Sequence, residues 1–168
     1  LVAMEPPTNI NSESIRDEKL KVLRSLRPFK TNETDEHLVI GQYKEGAIDA
    51  KAITSYLDEN GVNPKSQTET FVALKLWIDN WKWSGVPFFL RTGKRMAEKR
   101  SEIVIQFKSV PHNIFDSNNK QKDNQLVIRL QPEESIKLKI MIKKPSASGF
   151  SLQELPLDLL FDDYYEDD

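Results

Sequence analysis

The residues best suited to chemistry form a basic group at the end of a predicted strand. The run Arg91-Thr92-Gly93-Lys94-Arg95 follows an apolar stretch, and Lys99 and Arg100 come close behind it. A glycine lets the backbone turn tightly, and ammonium and guanidinium groups at a strand end suit phosphate or polyhydroxyl ligands. On spacing alone, the more ordinary interpretation is a solvated basic loop whose cations pair with Glu98 and Glu102.

A second basic surface is predicted on a hairpin near the end of the chain. One face of its two strands would carry the polar side chains Arg129, Gln131, Lys137, Lys139 and Lys143. Like charges this close on one sheet face repel each other, so they require an anion, a carboxylate-rich neighbour or water. Water is the default, and a subunit or domain partner is the alternative.

No motif in the sequence could run a reaction unaided, so no catalytic residue and no metal ligand is predicted. There is no glycine-rich phosphate loop, and the two histidines, His37 and His112, have neither a carboxylate nor a second histidine at helical spacing. A lone histidine in a strand-rich segment is more often a packing or surface residue. Trp77, Trp81 and Trp83 could stack on a sugar, but a core corner where a strand turns back is the favoured interpretation.

Length, charge and composition limit the class of protein. The chain has 168 residues and a formal net charge of −2, so one globular domain fits, and neither nucleic acid nor an anionic membrane is an expected partner. No apolar run approaches the roughly 18 residues of a membrane helix. The chain has no cysteine, which excludes disulfides and thiolate metal sites, and a cytoplasmic location is expected.

The first half of the chain is predicted to hold one helix and several strands. Apolar residues at helical spacing predict a helix over 12–27, capped by Asn11 or Ser12 and ended by Pro28. Alternation and apolar runs predict strands at 37–43, 70–79 and 86–91, the second of them buried on most of both faces. The segment 44–68 stays open between a helix and a long loop.

The second half alternates more clearly. Strands are predicted at 102–108, 125–131, 135–143 and 155–161. Pro132-Glu133-Glu134 would form a hairpin turn, and the polar segment 116–124 a loop. One helix and six to seven strands with short connections predict an α+β fold, a large and mainly antiparallel sheet with the N-terminal helix packed on it.

Several stretches of the sequence, taken together, resemble a known protein family, although none of them would identify it alone. They include Thr68–Leu76, Ile78–Trp83 and Gly85–Lys94, with shorter matches at 3–7, 18–23, 41–43, 102–107 and 126–132. In this order, and over nearly the whole chain, they resemble the glucose-6-phosphate dehydrogenase family. A collinear set of this kind is specific where one match would be weak. Within 44–66 the match is confined to the surroundings of Tyr56 and Glu59.

The resemblance implies a two-part enzyme. In that family an N-terminal Rossmann domain binds NADP, and a β+α domain supplies part of the sugar-phosphate pocket and the subunit interface. Such enzymes oxidise glucose 6-phosphate to the lactone with reduction of NADP in the pentose phosphate pathway. This chain resembles the second part, so all of 1–168 is expected to be that domain, truncated at both ends, with NADP bound mainly by the absent N-terminal domain.

Three residues inherit a role from the resemblance. Lys94 matches the lysine that ends the family's Arg-Thr-Gly-Lys motif and contacts the substrate, and Lys99 matches a second basic contact. Gln131, before Pro132, matches a weaker candidate near the sugar. His37 and His112 do not match the family's catalytic histidine. Some eukaryotic members hold a second, structural NADP near positions matching Arg91, Arg129 and Lys139, and that site is left unassigned because much of its remaining wall comes from the family's C-terminal tail.

The resemblance also implies partners, and it leaves one alternative. Glucose 6-phosphate is the expected ligand, and a homodimer or tetramer assembled through the sheet is the expected state. The chain is not expected to be active alone, since it lacks the cofactor turn and the base. The alternative is a stand-alone, non-catalytic binding or assembly module that kept the sheet and lost catalysis.

Overall fold

The structure, a computed structural model, describes residues 1–30, 34–110, 122–145 and 152–161. The chain divides into two compact units, Leu1–Ala97 and Glu98–Asp168, and each is described by itself. No helix in the described ranges is long and apolar enough to cross a membrane.

The N-terminal helix α1 spans Ser12–Arg24, three residues less than predicted. Asn11 is the N-cap, and its side-chain oxygen accepts from the Ser14 N–H at 2.8 Å. The helix ends before Pro28 because Leu26 leaves it to form an isolated antiparallel bridge with Ile78. No residue of α1 is buried, and the segment that follows the helix connects it to the sheet through the bridge at Leu26.

That segment is fixed to the chain after the central strand by a set of hydrogen bonds. The Arg27 guanidinium donates twice to the Asp79 carboxylate, at 3.0 and 2.7 Å. The Asp79 N–H donates to the Ser25 carbonyl at 2.7 Å, and the Arg27 N–H to the Trp77 carbonyl at 3.0 Å. The guanidinium lowers the pKa of the Asp79 carboxyl, chiefly through these side-chain hydrogen bonds.

The first unit is built on a three-stranded antiparallel sheet whose central strand is Phe71–Trp77. The elements before and within it are α2 (Thr34–His37), β1 (Leu38–Gly41), β4 (Phe71–Trp77) and β5 (Pro87–Gly93), in the strand order β1-β4-β5. Leu74 lies opposite both Leu38 and Leu90. Every residue of β4 is half-buried, and Ile78, directly after it, is only 2% exposed. The first strand starts one residue later than predicted because His37 closes α2.

The segment left open between helix and loop contains a small hairpin instead. β2 (Gly46–Ile48) pairs with β3 (Lys51–Ile53), and a 3₁₀ turn follows at Tyr56–Asp58. The two residues between the strands, Asp49 and Ala50, have φ of 50° and 60°. Two consecutive positive φ values identify a type I′ turn, whose twist matches that of the flanking strands. Residues 46–53 therefore form a hairpin, which neither of the two interpretations of this segment predicted.

The second unit is one four-stranded antiparallel sheet in the order β6-β7-β8-β9. Its strands are β6 (Ser101–Gln106), β7 (Gln125–Gln131), β8 (Ser135–Lys143) and β9 (Leu152–Leu160). The β7–β8 hairpin has the predicted bounds, with Leu126 opposite Leu138 and Ile128 opposite Ile136. β9 begins three residues earlier than predicted and pairs with β8 over its full length. Most of the predicted loop 116–124 lies outside the described residues.

The predicted fold class is confirmed, since an N-terminal helix accompanies strands that pair antiparallel throughout the described ranges. The nine described strands exceed the predicted six to seven because β2 and β3 were not anticipated. These strands are divided among sheets of three, two and four strands.

We expect Ala50→Gly to stabilise the protein by up to about 1 kcal/mol, because glycine removes the steric cost of an alanine at positive φ. The midpoint of thermal unfolding should rise by about 2–4 °C. Ala52→Gly, in the β3 strand of the same hairpin, is the matched control, and it should lower the midpoint. A lower midpoint in both variants would contradict the type I′ assignment.

We expect Asp79→Asn to destabilise the protein at neutral pH and to lose that disadvantage in acid. The folded pKa of Asp79 is depressed below its ordinary 3.8, so its contribution is complete above that pH and disappears as pH falls through the folded pKa. Denaturant unfolding of both proteins between pH 7 and pH 2.5 measures the gap. Glu45→Gln, which removes a carboxylate without an ion pair in the described ranges, should show no such convergence.

Candidate functional site

Lys94 is the first residue after β5, and its backbone is anchored while its side chain is exposed. Its N–H donates to the Thr70 carbonyl at 2.8 Å, which extends the β4–β5 pairing by one step. A Cβ on the preceding Gly93 would stand 2.9 Å from the Met96 sulfur and 3.0 Å from the Phe71 ring. A side chain at position 93 would therefore have to displace one of these two groups, because the turn folds back closely on the strand.

Arg95, the next residue, has a φ of 55°, a conformation that few non-glycine residues adopt. Its guanidinium donates to Glu59 Oε1 at 2.9 Å, and the Tyr43 hydroxyl donates to the same oxygen at 3.1 Å. These two hydrogen bonds, that from Arg95 first, lower the pKa of the Glu59 carboxyl. The carboxylate is therefore held ionised between a cation and a hydroxyl.

Thr70 joins this cluster to the sheet from a buried position, with only 6% of its surface exposed. Its hydroxyl accepts from the Tyr43 N–H at 2.9 Å, and its own N–H donates to the Gly41 carbonyl at 2.8 Å. The carbonyl of the same residue receives Lys94. One residue thus connects the end of β1, the cluster around Glu59 and the turn that carries Lys94.

The sequence interpretation missed Tyr43, Glu59 and Thr70 as parts of this arrangement. A signal was present, because Glu59 lay in one of the few matching positions within a segment that otherwise resembled the family poorly. A carboxylate kept in such a segment is better explained by a partner than by its own loop. Its partner could not be read from spacing, since Glu59 and Arg95 are 36 residues apart.

Lys99 and Arg100 lie in the second unit, in the segment before β6, and both are exposed. The Arg100 guanidinium contacts the carboxylates of Glu98 and Glu102, the latter at 3.3 Å. For Arg100, the predicted pairing with Glu98 and Glu102 is therefore confirmed, whereas Arg95 pairs with Glu59, which was not predicted. Within the described ranges neither Lys94 nor Lys99 has a side-chain partner, so the basic group separates into paired arginines and unpaired lysines.

Gln131 ends β7 and lies opposite Ser101, the first residue of β6. Lys99 is two residues before Ser101, so Lys99 and Gln131 come to the same end of this strand pair. Lys94 belongs to the first unit. The structure therefore brings two of the three predicted site residues to one end of the β6–β7 pair and puts the third on the turn after β5.

The basic hairpin face is partly neutralised from within the sheet. Lys137 pairs with Asp158 of β9 at 3.2 Å, and Lys139 donates to the Gln125 side chain at 3.5 Å. Arg129 has a buried Nε with no hydrogen-bond partner in the described part of the chain. Of the predicted neighbours, a carboxylate is therefore observed for Lys137, and it belongs to Asp158 of β9.

The histidine and tryptophan interpretations have separate outcomes. His37 packs edge-on against Trp77, with ring centroids 4.9 Å apart, which confirms a packing histidine. Trp83 is half-buried and donates its indole N–H to the Ala3 carbonyl at 2.8 Å. Trp81 is fully exposed at 103%, so the predicted core corner is wrong for that residue. His112 lies outside the described residues, and no cluster of potential metal ligands occurs among those that are described.

Comparison with known proteins supplies the family. The model of "Glucose-6-phosphate dehydrogenase, C-terminal domain" matches residues 1–168. The glucose-6-phosphate 1-dehydrogenase of Rhizobium meliloti is 53% identical over 163 residues, which cover 95% of this chain and 33% of that protein. The Bacillus subtilis protein of the same name is 52% identical over 159 residues, covering 94% of this chain and 32% of the relative. The chain thus spans about a third of the curated relatives it matches.

Solved structures agree with the sequence relatives. One described as glucose-6-phosphate dehydrogenase in complex with its substrate glucose-6-phosphate superposes with a TM-score of 0.79 at 38% identity, over 96% of this chain and 31% of that one. A glucose-6-phosphate 1-dehydrogenase from Mycobacterium avium gives a TM-score of 0.73 at 35% identity, over 95% of this chain and 31% of the other. The chain therefore belongs to the glucose-6-phosphate dehydrogenase family, where it corresponds to the C-terminal domain.

Proposed function

We propose that this chain is the part of a glucose-6-phosphate 1-dehydrogenase that presents cations to the sugar phosphate. The longer enzyme would oxidise glucose 6-phosphate to 6-phosphogluconolactone as NADP is reduced. Because the chain spans only 33% of the R. meliloti relative, the residues that perform hydride and proton transfer are expected outside it. This domain would bind and orient the substrate.

The observation that carries the proposal is that the arginines after β5 are paired with carboxylates and the lysines are not. Arg95 and Arg100 have their charges met by Glu59, Glu98 and Glu102. Lys94 and Lys99 are exposed and have no carboxylate partner among the described residues. An exposed ammonium with no internal partner is available to an anion, whereas a paired guanidinium would first have to give up a carboxylate.

An ammonium group suits both the phosphate and the sugar of such a substrate. Glucose 6-phosphate offers a dianion and several hydroxyls, and an ammonium group can donate to either. Gln131 adds an amide that can both donate and accept near a sugar hydroxyl. Donors of this kind act by positioning, since oxidation at C1 requires that carbon to be held against the hydride acceptor.

The residues of this chain do not fit a dinucleotide site of the Rossmann kind. The sequence has no glycine-rich turn between a strand and a helix, and the described strand pairings are all antiparallel. When bound to the longer protein, NADP would accept the hydride from C1. In the reaction itself, this chain would hold the sugar phosphate.

Assembly through the sheet is the second part of the proposal. The 3- and 4-stranded sheets expose large apolar side chains, among them Phe89, Leu130 and Leu157. Apolar surface of this kind is covered at protein interfaces more often than it is left in water. A homodimer or tetramer formed through these strands would cover part of it. The cytoplasmic location stays a prediction.

In the longer enzyme, we expect Lys94→Ala and Lys99→Ala each to raise the KM for glucose 6-phosphate by about 10- to 100-fold. That range corresponds to the loss of a hydrogen bond to a charged group, about 1.5–3 kcal/mol. The KM for NADP should stay unchanged. Steady-state kinetics with each substrate varied in turn makes the measurement. Unaltered sugar-phosphate kinetics in both variants would refute the site assignment.

We expect the 168-residue chain alone to show no glucose 6-phosphate-dependent reduction of NADP, since it lacks both a dinucleotide turn and a candidate base. Absorbance of the reduced nicotinamide follows the reaction. Addition of the purified N-terminal part tests whether activity is restored by the complementary residues. Turnover by the chain alone would contradict the assignment of hydride and proton transfer to residues outside it. The intact mass of the native protein distinguishes a longer enzyme from a stand-alone module.

A further inference from the structure

The backbone at Arg95 is the starting point, because its conformation and its residue type disagree. A φ of 55° favours glycine or asparagine, yet the position carries a long cationic side chain. Such a conformation persists only when its surroundings hold it in place. One contact that holds the Arg95 backbone in this conformation is the hydrogen bond from its guanidinium to Glu59.

Glu59 is in turn fixed from the other side. The Tyr43 hydroxyl donates to the same carboxylate oxygen at 3.1 Å, and the Tyr43 ring packs edge-on against Tyr56, with centroids 5.8 Å apart. The Tyr43 carbonyl accepts from the Tyr56 N–H at 3.1 Å. Glu59 follows the 3₁₀ turn that Tyr56 begins, so its backbone belongs to the same local structure. The Glu59 carboxylate is therefore held in place to accept the hydrogen bond from Arg95.

Lys94 lies between two such restraints. On its N-terminal side, Gly93 packs against Phe71 and Met96, and the Lys94 N–H is bound to the carbonyl of buried Thr70. On its C-terminal side, the Arg95 guanidinium donates to Glu59, whose carboxylate also accepts from the Tyr43 hydroxyl. The direction in which the Lys94 side chain leaves the backbone is therefore set from both neighbours.

We propose that Arg95, held by Glu59 and Tyr43, is a positioning residue that aims the Lys94 ammonium at the sugar phosphate. The inference rests on the proposed function of Lys94. A lysine side chain is long and flexible, so the protein can control its reach most directly through the backbone at its root. Arg95 itself makes no contact with the substrate in this proposal, because its guanidinium is engaged by Glu59.

The test is a double-mutant cycle in the longer enzyme, with Arg95→Ala, Lys94→Ala and the double variant. Arg95→Ala should raise the KM for glucose 6-phosphate about 10-fold, as expected of a misplaced binding group, and leave the KM for NADP and kcat unchanged. In the Lys94→Ala background the same change should have no further effect. A full Arg95 effect in that background would overturn the proposal, because Arg95 would then be a substrate contact or a general structural residue.

Arg95→Gly separates the tether from the backbone conformation. Glycine accepts a φ of 55° without steric cost, but it cannot bind Glu59. The proposal requires the KM of Arg95→Gly to rise at least as far as that of Arg95→Ala. Wild-type kinetics in Arg95→Gly would overturn it, since the backbone conformation alone would then be sufficient.

Glu59→Gln approaches the tether from its other end and serves if the Arg95 variants fail to fold. A neutral amide oxygen is a weaker acceptor for a guanidinium, so an intermediate rise of about 3-fold in the same KM is expected. Arg27→Ala is the matched control, since it removes another exposed arginine–carboxylate pair, at the far end of β4. Its kinetics should equal those of the wild type, and a rise in KM equal to that of Arg95→Ala would overturn the proposal.

The two proposals fail in different ways. If Lys94→Ala leaves the KM unchanged, the proposed function of Lys94 is wrong and the positioning role falls with it. If Lys94→Ala raises the KM but Arg95→Ala and Glu59→Gln do not, only the positioning role is wrong. Thermal melts of each variant confirm that the compared enzymes are folded.

Discussion

A single buried threonine is the constraint on which the first unit depends. Thr70 uses its N–H, its hydroxyl and its carbonyl to bind Gly41, Tyr43 and Lys94. A buried polar group that lost one of these partners would be left unsatisfied at a cost of roughly 1–3 kcal/mol. The three contacts therefore support one another. The end of β1, the start of β4 and the turn after β5 must stay in register for all of them to be satisfied together.

The basic segment 91–100 holds two kinds of cation. The guanidiniums of Arg95 and Arg100 meet carboxylates that neighbouring segments supply. A planar guanidinium suits such fixed pairs, and an ammonium on a flexible stem suits a ligand that comes and goes. Residue type and pairing thus agree, with arginine in the structural positions and lysine in the free ones.

The sequence predicted the elements whose pattern is local. The β7–β8 hairpin has its predicted bounds because alternation and the turn at Pro132 lie within one short segment. The β2–β3 hairpin was missed because its turn uses Ala50 at positive φ, where a glycine or asparagine would have given the signal. The helix end was misplaced because Leu26 pairs with Ile78, a contact 52 residues away in the chain.

For the candidate site, the residues could be predicted from the sequence, but only part of the pairing of the charges around them could. Lys94, Lys99 and Gln131 could be named because a resemblance carries residue types from position to position. Which cations are free could not be read from the spacing, since the partner of Arg95 is supplied by a distant 3₁₀ turn. The pairs of Arg100 with Glu98 and Glu102 are local and were predicted, whereas the pair of Arg95 with Glu59 spans 36 residues and leaves no local pattern.

The close approach at Gly93 has a consequence for how the motif can vary. Its backbone is ordinary extended strand, so torsion does not exclude a side chain there, but the Met96 thioether and the Phe71 ring occupy the space. The thioether belongs to a flexible chain and the ring does not. Position 93 and position 96 are therefore expected to covary by volume, so that a relative with alanine at the former should carry a shorter residue at the latter.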